Sequence, residues 1–201
     1  IDRNGNSVID SKKDKVWPMT SYGTVIKDSG KLCFVNRKGE IVIQPGDYDA
    51  GEMDKFNGLL ALKDNSSDKW GVFDVSTGKQ VVSFKYDSIS FAGTDRLVVV
   101  KDHVKNLINM STGKSLYSAQ TEATIEPFNS DTVTWVHTGK DAYTIIDNDG
   151  HVLFRDTNNI IEDVKSFNHG FSSVKSKGKW GVMNAKGEWV VQPTYEAVNI
   201  L

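Results

Sequence analysis

Side chains that commonly carry chemistry are scattered through this chain of 201 residues. None of its four histidines has a second histidine four residues later, the spacing that places two zinc ligands on one helix face. No Gly-x-Ser-x-Gly or glycine-rich phosphate-binding pattern is present. We therefore predict a turn or strand-surface position for each histidine, namely His103, His137, His151 and His169.

The segment Asp147–Gly150 resembles the start of a calcium-binding loop. Such a loop needs a glutamate at its twelfth position, where this chain has Asn158. The same Asp or Asn occurs before a glycine elsewhere in the chain, so we interpret the segment as a hairpin turn. The sequence thus predicts no enzyme, no metal and no cofactor.

A glycine that follows an Asp or Asn by three or four residues recurs along the chain. We call these six residues the anchor glycines: Gly5, Gly39, Gly78, Gly113, Gly150 and Gly187. Their spacings are 34, 39, 35, 37 and 37 residues, which marks an internal repeat. Apolar runs rich in β-branched residues flank each anchor, as in a β-hairpin whose turn bonds an Asx side chain and requires a positive φ.

Two further strand-like runs follow most anchors, and no segment has helical periodicity. The sequence therefore predicts one all-β domain over residues 1–201, built from six units of about four short antiparallel strands. Units of ~36 residues favour a β-propeller, with a linear β-solenoid as the alternative. The predicted units are 1–30, 31–69, 70–104, 105–141, 142–179 and 180–201.

The tetrapeptide Lys69-Trp70-Gly71-Val72 recurs as Lys179-Trp180-Gly181-Val182. With the residues that follow, these two copies resemble the bacterial WG-repeat (KWG-repeat) family. The resemblance implies a repeated β-structure, often on exported or cell-envelope proteins, and brings no shared catalytic residues. We predict that the two tryptophans pack between neighbouring units and that Gly71 and Gly181 are structural.

Three other tryptophans lie outside the repeat motif: Trp17, Trp135 and Trp189. If exposed, such rings could stack on a sugar, and if buried they belong to the core of an irregular repeat. The most divergent stretch, Tyr117 to Ser130, is our first candidate for a ligand loop. Acidic residues near predicted turns are interpreted as solvated: Asp47, Asp49, Asp54, Asp87 and Asp95.

The composition limits the partners. A net charge of −2 with interspersed signs argues against nucleic acid, and no apolar run is long enough to insert into a membrane. The single cysteine, Cys33, excludes an internal disulfide and is expected to be buried. We expect a monomeric, extracellular or cell-envelope scaffold that binds an unknown protein or glycan. The alternatives are a lectin-like module that uses the three tryptophans, and a propeller-type glycan hydrolase.

Overall fold

The computed structural model describes residue 9 and residues 12–129, 131–138 and 142–200. Within these residues all regular structure is β-strand, arranged as five four-stranded antiparallel sheets. The predicted all-β repeat fold is confirmed. No helix in this part of the chain is long and apolar enough to cross a membrane.

The chain divides into two compact units, Ile1–Ser90 and Phe91–Leu201, and each is described by itself. The first unit holds two sheets. The strands of sheet I are β1 (Lys15–Val16), β2 (Gly23–Asp28), β3 (Lys31–Asn36) and β4 (Ile41–Gly46). The strands of sheet II are β5 (Tyr48–Asp54), β6 (Leu59–Asp64), β7 (Lys69–Asp74) and β8 (Gln80–Tyr86).

The second unit holds three sheets, the first of which begins just before the division. The strands of sheet III are β9 (Ser88–Gly93), β10 (Arg96–Lys101), β11 (Val104–Asn109) and β12 (Ser115–Gln120). Sheet IV contains β13 (Thr124–Ile125), β14 (Val133–His137), β15 (Tyr143–Asp147) and β16 (Val152–Arg155). Sheet V contains β17 (Asp163–Val164), β18 (Phe171–Ser176), β19 (Lys179–Asn184) and β20 (Trp189–Tyr195).

The sheets are offset from the predicted repeat units. Each described anchor glycine lies between the third and fourth strands of a sheet, as Gly39 does between β3 and β4. The offset arises because a repeat period fixes the spacing of strands but not which four strands share a sheet. The sixth anchor, Gly5, lies outside the described residues. Ring closure and a single domain stay predictions.

The hairpin turns have the predicted chemistry. Asn184 Oδ1 accepts hydrogen bonds from the backbone N–H groups of Lys186 at 2.9 Å and Glu188 at 3.0 Å. Asn36 makes the same pair of bonds in sheet I. All five described anchor glycines have a positive φ, between 70° and 85°. The Asx side chain and the glycine together fix each turn between third and fourth strands.

Apolar side chains are buried between consecutive sheets of each unit. In the first unit, Val25 and Phe34 of sheet I pack with Leu60 and Phe73 of sheet II. A single four-stranded sheet cannot cover both of its faces, so stacking of neighbouring sheets forms the core. Comparable clusters join sheets III and IV and sheets IV and V.

Candidate binding groove

Trp135 lies in the core and has no exposed surface. Its indole Nε1 donates a hydrogen bond to Ser172 Oγ at 2.9 Å, and its ring stacks on Phe167 with centroids 5.4 Å apart. The ring of Tyr143 meets it edge-on at 6.0 Å. Trp135 therefore offers no free face to a sugar, and its contacts are those of a packing residue.

The other two tryptophans outside the motif are half-buried. Trp189, at the start of β20, packs one side against the apolar cluster between sheets IV and V. Trp17 follows β1 and packs against the cluster between sheets I and II. Of these two, only Trp17 lines a described cavity of the molecule.

That cavity is a groove of about 270 Å³ in the first unit, which we call the Trp17 groove. Its apolar wall comes from Trp17 and Met19 of the segment between β1 and β2, from Val25 of β2, and from Met53 and Leu60 of sheet II. Thr20, Ser21 and Thr24 also line the groove, and Lys55 is its charged lining residue. A concave, mainly apolar site with a few polar groups has the general character of a ligand-binding site.

The backbone around Trp17 is held firmly. Its N–H donates to the carbonyl of Val25 at 3.0 Å, and its own carbonyl accepts from Thr24 Oγ1 at 2.6 Å. The ammonium of Lys15 lies 4.2 Å from the centre of the indole ring, a cation–π contact. These contacts fix Trp17 against sheet I as one wall of the groove.

Apolar surface continues beyond the groove. Met19 is 49% exposed and Phe56, which follows the lining residue Lys55, is 95% exposed. The hydroxyl of Tyr22 donates to the carbonyl of Phe56 at 3.1 Å, which ties the Phe56 turn to the segment that follows Trp17. An exposed apolar patch is informative where a single exposed apolar side chain is not, so Phe56 counts here together with the exposed Met19 of the groove.

The exposure of Phe56 has a local cause. In sheet V the corresponding Phe167 is buried and stands four residues before β18, whereas Phe56 stands three residues before β6. Asp54 Oδ1 accepts from the backbone N–H of Phe56 at 3.0 Å and of Asn57 at 3.1 Å. This shorter turn directs Phe56 outward, while Met53 packs against the core.

A second, polar cavity of about 470 Å³ lies in the second unit. Among its lining residues, His137 Nε2 lies 3.2 Å from Glu126 Oε1, and the imidazole stacks on Tyr143 with centroids 5.3 Å apart. The lining also includes Asp163 and Lys165. The sequence predicted a surface or turn position for His137. No sequence motif predicts that His137, in β14, pairs with Glu126.

The geometry of this cavity does not favour acid–base chemistry at His137. One ring nitrogen, Nε2, is engaged with Glu126, and the other, Nδ1, is buried without a hydrogen-bond partner. A general base must reach the proton that it removes. Lys165 is also engaged, because its Nζ donates to the Val198 carbonyl at 3.1 Å and to Asn199 Oδ1 at 2.9 Å.

The remaining polar residues of interest serve turns. Asp147 Oδ1 accepts from the N–H groups of Asp149 at 2.9 Å and His151 at 2.8 Å, which is a hairpin turn and not a calcium loop. His103 and His169 adopt positive φ values of 62° and 52° in turns. In the described part of the chain, no group of three or more His, Cys, Asp or Glu side chains is placed to hold a metal ion.

Two further predictions concern the burial of Cys33 and the divergent stretch from Tyr117. Cys33 is buried, as expected, and burial raises the pKa of its thiol. The divergent stretch from Tyr117 to Ser130, whose last residue lies outside the described residues, contributes β13 and the buried side chains Ala123, Ile125 and Phe128, and its role as a ligand loop stays a prediction. It diverges from the repeat because it packs the core between sheets III and IV with its own pattern of apolar residues.

A family model of the WG-containing repeat matches residues 34–66, 70–102 and 180–199. The chain therefore contains WG repeats. These matches contain the anchors Gly39, Gly78 and Gly187, of which the last two follow a Trp-Gly pair. No curated protein gives a significant match.

Solved structures resemble the WG-repeat chain in fold at low sequence identity. A eukaryotic initiation factor is 11% identical with a TM-score of 0.62, covering 88% of this chain and 53% of that one. Hsv2 of Kluyveromyces lactis, with loop 6CD replaced by a Gly-Ser linker, is 11% identical with a TM-score of 0.50, covering 85% and 62%. BamB from Moraxella catarrhalis is 14% identical with a TM-score of 0.41, covering 86% and 56%.

The WG-repeat chain thus spans between 53% and 62% of the length of these three structures. The likeness concerns the fold alone, which is all-β, repetitive and propeller-like.

The Trp-Gly pair of the WG repeat has a physical explanation. A Cβ on Gly71 would lie 2.6 Å from the Val82 carbonyl oxygen, and one on Gly181 would lie 2.4 Å from the Val191 oxygen. The register between third and fourth strands shifts at both places, so the fourth strand approaches the glycine closely. Trp70 lies over the backbone of Gly51 in its own sheet, where a Cβ would approach the indole to 2.4 Å.

The lysine of the repeat also has a partner. Lys69 forms an ion pair with Asp87, and Lys179 forms the equivalent pair with Glu196. Lys179 lowers the pKa of Glu196 by hydrogen bonding. Asp87 and Glu196 are the acidic residues that follow Tyr86 and Tyr195, so two separate sequence motifs of the WG repeat meet at the end of each sheet.

Proposed function

We propose that this WG-repeat protein is a non-catalytic binding module that holds a segment of a partner protein in the Trp17 groove. The observation that carries the proposal is the apolar groove of about 270 Å³ with Met19 and Phe56 exposed beside it. Large exposed apolar side chains next to a concave apolar wall are typical of protein-binding surfaces. A bacterial cell-envelope location belongs to the same proposal and rests on the family resemblance.

A lectin-like module is the less favoured function. Trp135 has no exposed surface, and one face of Trp17 carries the Lys15 ammonium. Stacking on a sugar needs a free aromatic face. A glycan hydrolase is disfavoured at the polar cavity because Glu126 is paired with His137.

Selection of random linear peptides displayed on phage tests the proposal on the intact chain. We expect enriched peptides to bind the wild-type protein and to lose binding to the Met19→Glu variant, because a carboxylate at the groove wall opposes apolar burial. Val190→Glu is the matched control, since Val190 is exposed to a similar degree, at 56% against 49%, and does not line the groove.

Peptides that bind Met19→Glu as well as wild type would place the site elsewhere and contradict the proposal. A panel of cell-wall polysaccharides, followed by tryptophan fluorescence, forms the second arm. Saturable quenching that is lost in Met19→Glu would favour the glycan function over the protein-binding function.

A further inference from the structure

Two lysines face each other beside the Trp17 groove. In the pairing of β1 with β2, Lys15 lies directly opposite Lys27. Residues paired across antiparallel strands share one face of the sheet, and like charges in such a pair destabilise it.

The face that these lysines share is the face of the groove. Val25, two residues before Lys27 in β2, lines the groove, and the Lys15 ammonium lies 4.2 Å from the ring of Trp17, which forms its wall. Side chains at positions i and i+2 of a strand point to the same side. Lys55, which lines the groove, adds a third positive charge.

No carboxylate neutralises this site among the described residues. The lining of the groove contains no Asp or Glu, and none of the three lysines has a carboxylate partner in the part of the chain that the structure describes. Of the acidic residues nearest to the lysines along the chain, Asp54 beside Lys55 accepts hydrogen bonds from the N–H groups of Phe56 at 3.0 Å and Asn57 at 3.1 Å, and Glu52 does not line the groove. Asp28 pairs with Lys13, and Asp14 accepts a hydrogen bond from the N–H of Gly30 at 3.2 Å. The chain is net negative, so this positive site is a local feature.

The size of the groove limits what enters it. At about 270 Å³ it is smaller than most sites for whole drug-sized ligands, which begin at roughly 300 Å³. The dimensions suit one large side chain, whose flanking residues would lie against the lysines on either wall.

We infer that the partner segment is acidic, with one large apolar side chain in the Trp17 groove and Asp or Glu residues on either side of it. This inference rests on the proposed function and specifies the partner for the same site. Opposite charge at the rim gives specificity and a faster association rate, while the buried apolar anchor supplies most of the affinity.

The test uses the peptides enriched on the wild-type protein. We expect their sequences to carry an aromatic residue or leucine flanked by Asp or Glu. Isothermal titration then compares wild type with the double variant Lys15→Gln plus Lys27→Gln. We expect about tenfold weaker binding, since each exposed pair contributes less than a factor of about five. Added salt should weaken wild-type binding more than binding by the double variant.

Three controls separate the possible failures. Lys38→Gln removes an exposed lysine of the same unit that lies in the β3–β4 turn and should leave affinity unchanged. Replacing the apolar residue of the peptide with serine should abolish binding, whereas binding of polyglutamate at wild-type strength would overturn the requirement for an anchor. Thermal unfolding of the double variant confirms that it is folded.

The possible results separate a failure of the acidic-partner inference from a failure of the proposed binding function of the Trp17 groove. Peptides that need Met19 but are neutral or basic would overturn the acidic partner. So would peptides that bind the double variant as well as they bind wild type. Both results would leave the proposed function of the Trp17 groove intact. Peptides whose binding survives Met19→Glu, or a selection that enriches none, overturn both.

Discussion

The indole of Trp135 and the hydroxyl of Ser172 form a hydrogen bond of 2.9 Å between sheets IV and V, and Ser172 also donates to the Lys165 carbonyl at 2.6 Å. Neither side chain has exposed surface. A buried indole N–H that loses its acceptor keeps the full penalty of its desolvation. The serine therefore matters to this core although its side chain is small.

We predict that Ser172→Ala lowers the free energy of unfolding by about 1 to 3 kcal/mol. Denaturant unfolding followed by tryptophan fluorescence measures the change. Ser115→Ala is the control, because Ser115 is exposed on β12 and its loss should change stability by less than about 0.5 kcal/mol. Equal effects of the two substitutions would contradict the role given to Ser172.

The carboxylates in the turns make the free energy of unfolding depend on pH. Burial raises the pKa of Asp147, but hydrogen bonds from His151 and from the N–H groups of His151 and Asp149 outweigh it, so this pKa lies below its ordinary value of 3.8. The pKa of Asp74 is lowered in the same way, by Ser76 and Thr77 against desolvation. A lowered folded-state pKa stabilises the fold above the unfolded-state value, and this contribution is lost as pH falls through the folded-state value.

We therefore predict that the free energy of unfolding falls as the pH drops below the ordinary carboxylate value of 3.8. Asp147→Asn should flatten this fall, because the amide oxygen can still accept the turn bonds, as Asn36 and Asn184 do in equivalent turns. Denaturant unfolding across a pH series measures both profiles. A variant profile as steep as the wild-type one would contradict the assignment.

At the scale of the elements, the anchor turns differ in what surrounds them. A Cβ on Gly150 would lie 2.2 Å from the Leu116 carbonyl oxygen of the preceding sheet, so the turn of sheet IV rests on β12. A Cβ on Gly113 meets nothing within 4 Å. Both glycines have positive φ values, 85° and 70°, so an alanine pays a similar backbone cost at either place.

We predict that Gly113→Ala costs about 1 to 2 kcal/mol from its φ alone. Gly150→Ala should cost about 1 to 3 kcal/mol more, because the turn or β12 must move to admit the methyl group. Thermal or denaturant unfolding of the two variants gives the comparison. A larger loss of stability in Gly113→Ala than in Gly150→Ala would contradict this account. It would mean that contact between the turn and β12 is not the reason for a glycine at position 150.

Some features followed from sequence because their causes are local. The anchor glycines and their Asx partners lie within a few residues of each other, so spacing alone predicted their turns. The burial of Trp135 depends on Ser172 and Phe167, which are distant in sequence, and no pattern near Trp135 reveals them. Phe56 differs from Phe167 by one residue in turn length, which a repeat alignment treats as a minor variation.

The candidate groove was only partly predictable for a related reason. Trp17 was selected because it lies outside the repeat motif. Met53 and Leu60 come from the next sheet, and the pairing of Lys15 with Lys27 requires the register of β1 on β2. The sequence did not predict which four strands share a sheet, because a repeat period gives the spacing of the strands but not the strand at which each sheet begins.

At the scale of the whole molecule, we predict a monomer. Sedimentation equilibrium should give a mass of 22.3 kDa, and far-UV circular dichroism should show β-structure without the helical double minimum. A mass that is a multiple of this value would contradict the monomer.

The most direct test of the central claim is hydrogen–deuterium exchange of the intact protein with and without the tightest peptide from the selection. We predict that protection is confined to the walls of the Trp17 groove, in the segments 15–27 and 50–60. Protection around the polar cavity, at residues 126–137 or 163–166, or no protection at all, would contradict a binding site in the Trp17 groove.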